Sequence, residues 1–231
     1  MDFDTAEIAF TASVWILPVL IAVTLHEAAH GWVAWRLGDD TAYRMGRVTF
    51  NPIKHIDLFG TVLMPALLLF GSGGRMMFGY AKPVPVNFNA LGKPRRDMVL
   101  VALAGPGINI ALALISAALV HSVMLMEGDV REWVTYNLIN SVRINLLLAV
   151  FNMLPLPPLD GGRVAVGVLP APLAIRLARL ERVGMLILLG GIFILPMIGD
   201  QIGIDLNIFR WLIGVPTQYL FEFVFSLVGL V

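Results

Sequence analysis

The sequence predicts an all-α integral membrane helix bundle of about five to six transmembrane segments, with a short re-entrant region between the first two core spans. Three observations carry this reading. Hydrophobic residues make up 58% of the 231 and charged residues 14%, against about 25% charged in soluble domains, and the mean hydropathy is +0.83. Apolar stretches recur at close to the ~20 residues that a helix needs to cross the hydrocarbon core. Between those stretches, lysine and arginine gather on alternate loops.

The first stretch covers residues 8–35. It follows an acidic N-terminus (Asp2, Asp4, Glu7), lacks a basic leader and is not followed by a small-residue cleavage site, so it reads as a retained span. Residues 58–70 are too short to cross and are broken by Pro65, which fits a re-entrant or interfacial segment. Residues 98–126 and 133–154 are full spans, 183–198 is a short one, and 208–231 is the last. Five crossings is the working count. The whole chain reads as one polytopic domain, with a catalytic core at about 8–165 and C-terminal helices at about 183–231.

Arg36, Arg44, Arg47, Lys54, Arg75, Lys82, Lys93, Arg95 and Arg96 lie between the first two full spans, and Arg163, Arg176, Arg179 and Arg182 between the third and fourth. The positive-inside rule puts those loops in the cytoplasm, with the N-terminus outside. The expected location is the cell (inner) membrane, and the cytoplasmic end of the first span should carry the active site.

That end holds His26-Glu27-Ala28-Ala29-His30. Two imidazoles four residues apart project from one helix face and can bind one metal ion, with Glu27 beside them to activate water. Three titratable groups in apolar surroundings carry a desolvation cost that argues against an idle role. The bland alternative, a polar packing cluster, does not account for the spacing. Zinc-dependent hydrolysis within a membrane is the first hypothesis.

The third full span ends in Asn152-Met153-Leu154-Pro155-Leu156-Pro157-Pro158-Leu159-Asp160-Gly161-Gly162-Arg163. Three prolines stop the helix and leave irregular backbone near membrane depth, where it must be buried in protein or line a wet cavity. A hydrolytic zinc takes three protein ligands and one open position, so the two histidines need a carboxylate from another element. Asp160, presented from a turn, is the candidate. Asn152 and, on the second full span, Asn109 are candidates for binding substrate or a developing oxyanion. Alone, Asp160 reads as turn chemistry and Asn152 as a helix–helix hydrogen bond; the histidine motif raises both. His55 and Asp57 read as loop caps, His121 as interfacial, and Arg143 as a snorkelling or structural cation. Ala102, Ala104, Gly105 and Gly107 read as close-packing residues.

A net charge of zero with no basic tail excludes a nucleic-acid partner, and the absence of cysteine excludes disulfides, thiolate zinc sites and a cysteine nucleophile. A membrane ion or metal transporter using buried His, Glu and Asp is the competing class. It accounts for broken helices but not for a glutamate inside a zinc-spaced pair, and no inverted repeat is visible.

Three motifs in order, His26 to His30, Ala104-Gly105-Pro106-Gly107-Ile108-Asn109, and Asn152 through Asp160-Gly161-Gly162, resemble the site-2 protease family of intramembrane zinc metalloproteases. Gly46-Arg47-Val48, Asn51-Pro52 and the run from Gly79 to Asn87 are similar to its compact branch, which has no PDZ-like domain. The resemblance implies one Zn2+ per chain held by His26, His30 and Asp160, Glu27 as the group that activates water, and the lipid bilayer as setting. It also implies as substrate a transmembrane segment of a regulatory or signal-like protein, and a β-hairpin drawn here from residues 44–48 and 82–87.

Overall fold

The structure is a computed structural model that describes residues 5–71 and 79–230. Asp2, Asp4, Arg75 and Val231, which entered the span and charge assignments, lie outside the described residues. Ten α-helices are described: α1 (Thr5–Arg36), α2 (Thr41–Arg44), α3 (Met64–Gly71), α4 (Pro94–Leu119), α5 (Gly128–Asn152), α6 (Asp160–Val168), α7 (Ala171–Ala178), α8 (Glu181–Leu189), α9 (Leu195–Ile202) and α10 (Val215–Leu227).

Four helical stretches among the described residues are long and apolar enough to cross a membrane: Thr5–Arg36, Pro94–Leu125, Gly128–Asn152 and Glu181–Ile202. This corrects the five-to-six count. The short 183–198 stretch grows into a 22-residue helical run because a wide turn at Gly190–Ile194 joins α8 to α9. The expected last span does not qualify. Its helix runs through a wide turn at Arg210–Gly214 into α10, as α8 runs into α9, but Arg210, Gln218 and Glu222 along it make it too polar to count as a span.

Local chemistry sets the boundaries. Gly38, at φ 111°, ends the chain's run beyond α1 in a conformation that penalises side-chain-bearing residues. Pro94 occupies the first turn of α4, and the Asp97 carboxylate accepts the Lys93 amide to cap it. Pro18 and Pro106 sit inside helices, as membrane spans tolerate.

Helices α1, α4 and α5 pack mutually into the central bundle. Alanines at the contacts, Ala22, Ala113 and Ala117, are fully buried and let the backbones approach. On its far side α5 meets α10, where Val142, Leu146 and Val224 close a second apolar layer. Polar ties cross the bundle as well: Asn140 on α5 donates to the Val14 carbonyl on α1 at 3.0 Å, and Trp133 donates to Ser13 at 2.9 Å. Each such tie contributes roughly 0.6 kcal/mol inside a membrane protein. Arg143 lies exposed on the bundle with its guanidinium 5.5 Å from the Phe221 ring centre, and His121 bonds the Val228 carbonyl.

Residues 58–71 form a short helix with Leu58 and Phe70 exposed at 78% and 85%. It is too short to cross, as Pro65 and its length predict. Among the described residues there is no β-strand, which corrects the expected hairpin. Residues 44–48 close a one-turn helix and a turn at Gly46 (φ 63°). Residues 79–87 are extended but have no ladder partner. Their bonded edge goes instead to scattered groups: Tyr80 N–H to Gly60 O, Lys82 N–H to His55 O, and Lys82 O to Arg47 Nη2. Pro83 and Pro85 remove the donors of the opposite edge, so a second strand has little to pair with.

Candidate metal centre

The His-Glu-x-x-His motif lies near the end of α1, and the helix does what its spacing requires. His26 and His30 face α4, both buried, with Nε2 atoms 3.0 Å apart. Asp160 arrives from the far side. The proline-rich loop after α5 folds back on itself: a Cβ on Gly161 would strike the Met153 carbonyl, and one on Gly162 would strike Pro157. The loop ends with Asp160 as the first residue of α6, not in a free turn as the sequence suggested. One carboxylate oxygen, Oδ2, stands 3.2 Å from His26 Nε2 and 3.3 Å from His30 Nε2.

Each imidazole uses its other nitrogen on a protein acceptor. His26 Nδ1 donates to Asn109 Oδ1 at 2.6 Å, and His30 Nδ1 donates to the Val101 carbonyl at 2.7 Å, both on α4. The Nε2 lone pairs therefore point inward with the Asp160 oxygen, which is buried and has no hydrogen-bond donor. Three acceptors within 3.0 to 3.3 Å of one another need either added protons or a cation between them. Zinc bonds of about 2.0–2.2 Å at tetrahedral angles separate ligand atoms by about 3.3–3.6 Å, so the cage fits zinc after its ligands move apart by a few tenths of an ångström. Burial pushes the Asp160 carboxyl up, but the neighbouring His26 and His30 imidazoles outweigh it and hold the group below the usual carboxylate range. That direction suits a carboxylate that is to serve as an anionic ligand.

Gly105 explains how α4 comes so near. A Cβ there would collide with both imidazoles, whereas one on Gly107 would meet nothing within 4 Å. Of the small residues read as packing, this one abuts the metal cage.

Glu27 is half-buried beside the histidines, and its Oε2 accepts the Val84 amide at 2.7 Å. The 79–87 strap thus lies over the cage. Asp39, fully buried, anchors its far end by accepting the Asn87 amide at 2.6 Å, and Arg47 anchors its middle. Between strap and helices is a cleft of about 350 Å³ lined by His26, Glu27, His30, Asn152 and Asp160, with apolar walls from Leu148, Phe151, Met185 and Leu188. Asn152 donates one amide proton to Leu148 O within its helix. Asn109 does not line this cleft. It is 0% exposed, behind His26.

His55 and Asp57 stand apart. His55 is buried with Nε2 on the Thr49 carbonyl, and Asp57 caps the helix at Leu58 by accepting the Gly60 amide. Among the described residues, the metal-capable group is His26, His30 and Asp160. Sequence reasoning missed Val84 and Asp39, because a backbone amide has no sequence signature and a lone Asp has a weak one.

The family model for peptidase family M50 matches residues 14–143. The chain is 38% identical over 186 residues to the protein named "Putative zinc metalloprotease YwhC" of Bacillus subtilis (strain 168), covering 79% of this chain and 80% of that one. It is 30% identical over 142 residues to "Putative zinc metalloprotease Rip2" of Mycobacterium tuberculosis (strain ATCC 25618 / H37Rv), covering 62% and 52%. A 64-residue segment is 44% identical to "Putative zinc metalloprotease MJ0611" of Methanocaldococcus jannaschii, covering 28% and 31%. No solved structure matches.

Proposed function

The chain belongs to peptidase family M50, the site-2 protease family of zinc metalloproteases, and from that premise we propose that it is an intramembrane endopeptidase. Its substrates are transmembrane segments of membrane-anchored regulatory or signal-like proteins. His26, His30 and Asp160 hold one zinc ion, Glu27 is the general base and acid, and Asn152 faces the developing oxyanion. The observation that carries this reading is the convergence of three metal-ready acceptors beside a carboxylate inside a bundle of membrane-length helices.

Bound in this cage, zinc supplies Lewis acidity that lowers the pKa of water and polarises a carbonyl. Glu27 takes a proton from the attacking water and returns it to the leaving amine, while the Val84 amide holds its carboxylate in the cleft. No covalent intermediate with the chain forms. Asn152 keeps a second amide proton for the oxyanion. The apolar walls favour hydrophobic side chains on either side of the cut bond, as a membrane segment supplies. Burial of Asn109 behind His26 moves that residue from substrate contact to ligand support.

The test is the purified Glu27→Gln form, assayed for bound zinc and for cleavage of a reporter transmembrane substrate. Retained zinc with lost cleavage is expected; unchanged cleavage overturns the mechanism. Membrane-protein fragments that are missing from cells carrying this form, compared with wild type, identify the substrate.

The active site opens to the cytoplasm in this reading, and the membrane is the cell (inner) membrane, supported by the basic loops flanking α1 and α4. Because the sequence has no cysteine, single thiols report sidedness cleanly. Lys93→Cys should react with an impermeant maleimide only from the cytoplasmic face, and Asp129→Cys only from the other.

A further inference from the structure

Behind the metal cage runs a chain of buried amides. Asn109 on α4 and Asn145 on α5 are both 0% exposed. Asn109 Nδ2 donates to Asn145 Oδ1 at 2.7 Å, and Asn145 Nδ2 donates to the Ser141 carbonyl at 2.8 Å. The Ser141 hydroxyl, 3.3 Å from the same amide nitrogen, bonds in turn to Ser116 at 2.7 Å. The metal requires none of these groups as ligands, and the cleft lining does not include them.

The order of donors along this chain is forced from its far end. A backbone carbonyl can only accept, so Ser141 O takes the amide hydrogens of Asn145. Asn145 must then turn its oxygen to Asn109, which can satisfy it only with its own amide nitrogen. The Ala22 carbonyl, 3.4 Å from Asn109 Nδ2, favours the same orientation at longer range. Asn109 is left presenting Oδ1 to His26, and an amide oxygen accepts only a proton carried on Nδ1. His30 needs no such relay, because its Nδ1 meets the Val101 carbonyl directly.

We propose that Asn145 is a positioning residue for the metal site: through Asn109 it fixes the His26 proton on Nδ1 and so keeps Nε2 free to bind zinc. The inference rests on His26 being a ligand. Without Asn145, the Asn109 amide can flip and present hydrogens to His26, which favours the tautomer with its proton on Nε2, where the metal should be. A carboxylate at position 109 has no such freedom. It accepts from Nδ1 in either orientation, so the His26 tautomer no longer depends on Asn145, whose oxygen then faces a second acceptor.

The experiment measures zinc affinity by chelator competition, together with the visible spectrum of the Co2+-loaded protein, on the full chain in detergent. Helical signal and thermal midpoint report folding. Asn145→Leu is expected to weaken zinc about tenfold, the low end of what outer-shell partners of a metal ligand contribute. Asn145→Ser, smaller and with a hydroxyl too short to reach Asn109, should do the same and serves if the leucine form does not fold. Asn109→Asp serves as the reference background, and adding Asn145→Leu to it should change zinc affinity less than about twofold.

Zinc affinity unchanged in a folded Asn145 variant, or the same loss with Asn109→Asp present, overturns the proposal in favour of plain packing. His26→Ala separates the two levels: zinc retained there removes His26 from the ligand set, whereas zinc lost there with Asn145 variants unaffected removes only the relay.

Discussion

The Val84 amide donates to the Glu27 carboxylate at 2.7 Å, joining the strap of residues 79–87 to the centre of the His-Glu-x-x-His motif. That bond aims one side chain without any residue-specific chemistry, and the strap itself is set by Asp39, Arg47 and the His55 carbonyl.

Val84→Pro removes this donor in a run already bracketed by Pro83 and Pro85. Cleavage is expected to fall about tenfold or more, a fraction of the 10²–10⁴ that general acid–base catalysis supplies, with zinc content unchanged. Val84→Ala keeps the amide and should stay near wild type. Matched kinetics and metal analysis on the two forms decide it, and equal activity in both would detach the strap from Glu27.

Asp160→Asn keeps the shape of the residue and loses the anion. Loss of a ligand should exceed the roughly 10–100-fold that outer-shell changes cost, so zinc is expected to leave under mild chelation and cleavage to vanish while the bundle stays helical. Wild-type zinc content in this form would remove Asp160 from the site.

Gly105→Ala places a methyl group against both imidazoles, and Gly107→Ala places one in open space two residues later. The first should lose zinc affinity and activity; the second should keep both, since alanine improves helix propensity by about 1 kcal/mol. Equilibrium zinc titration of the pair is the check, and an unaffected Gly105→Ala would mean that α4 can withdraw without harm to the cage.

Gly184 on α8 rests against the Pro157 carbonyl of the loop that delivers Asp160, and a Cβ would strike that oxygen. Gly190, later in the same span, has nothing near it. Gly184→Ala is expected to lower the thermal midpoint in detergent and weaken zinc, and Gly190→Ala to do neither. Equal midpoints would show that α8 is not seated on the loop.

Much of this molecule was readable from residue order because the relevant physics is local. Hydrophobic length decides which segments can cross, and a four-residue helical spacing places His26 and His30 on one face whatever surrounds them. The proline run, which no helix accommodates, announced the break that carries Asp160. Partnership across the bundle was not readable in this way. That Asp160 meets both histidines through one oxygen, that Asn109 turns to His26 and not to the cleft, and that residues 82–87 form a strap and not a hairpin depend on which surfaces α1, α4, α5 and the proline loop bring together. The last helix differs from the expected span for a local reason: it is continuous through its wide turn as far as Leu227, but Arg210, Gln218 and Glu222 along it leave it less apolar than a span requires. A backbone amide such as that of Val84 occurs at almost every residue, so only the folded chain could assign it to Glu27.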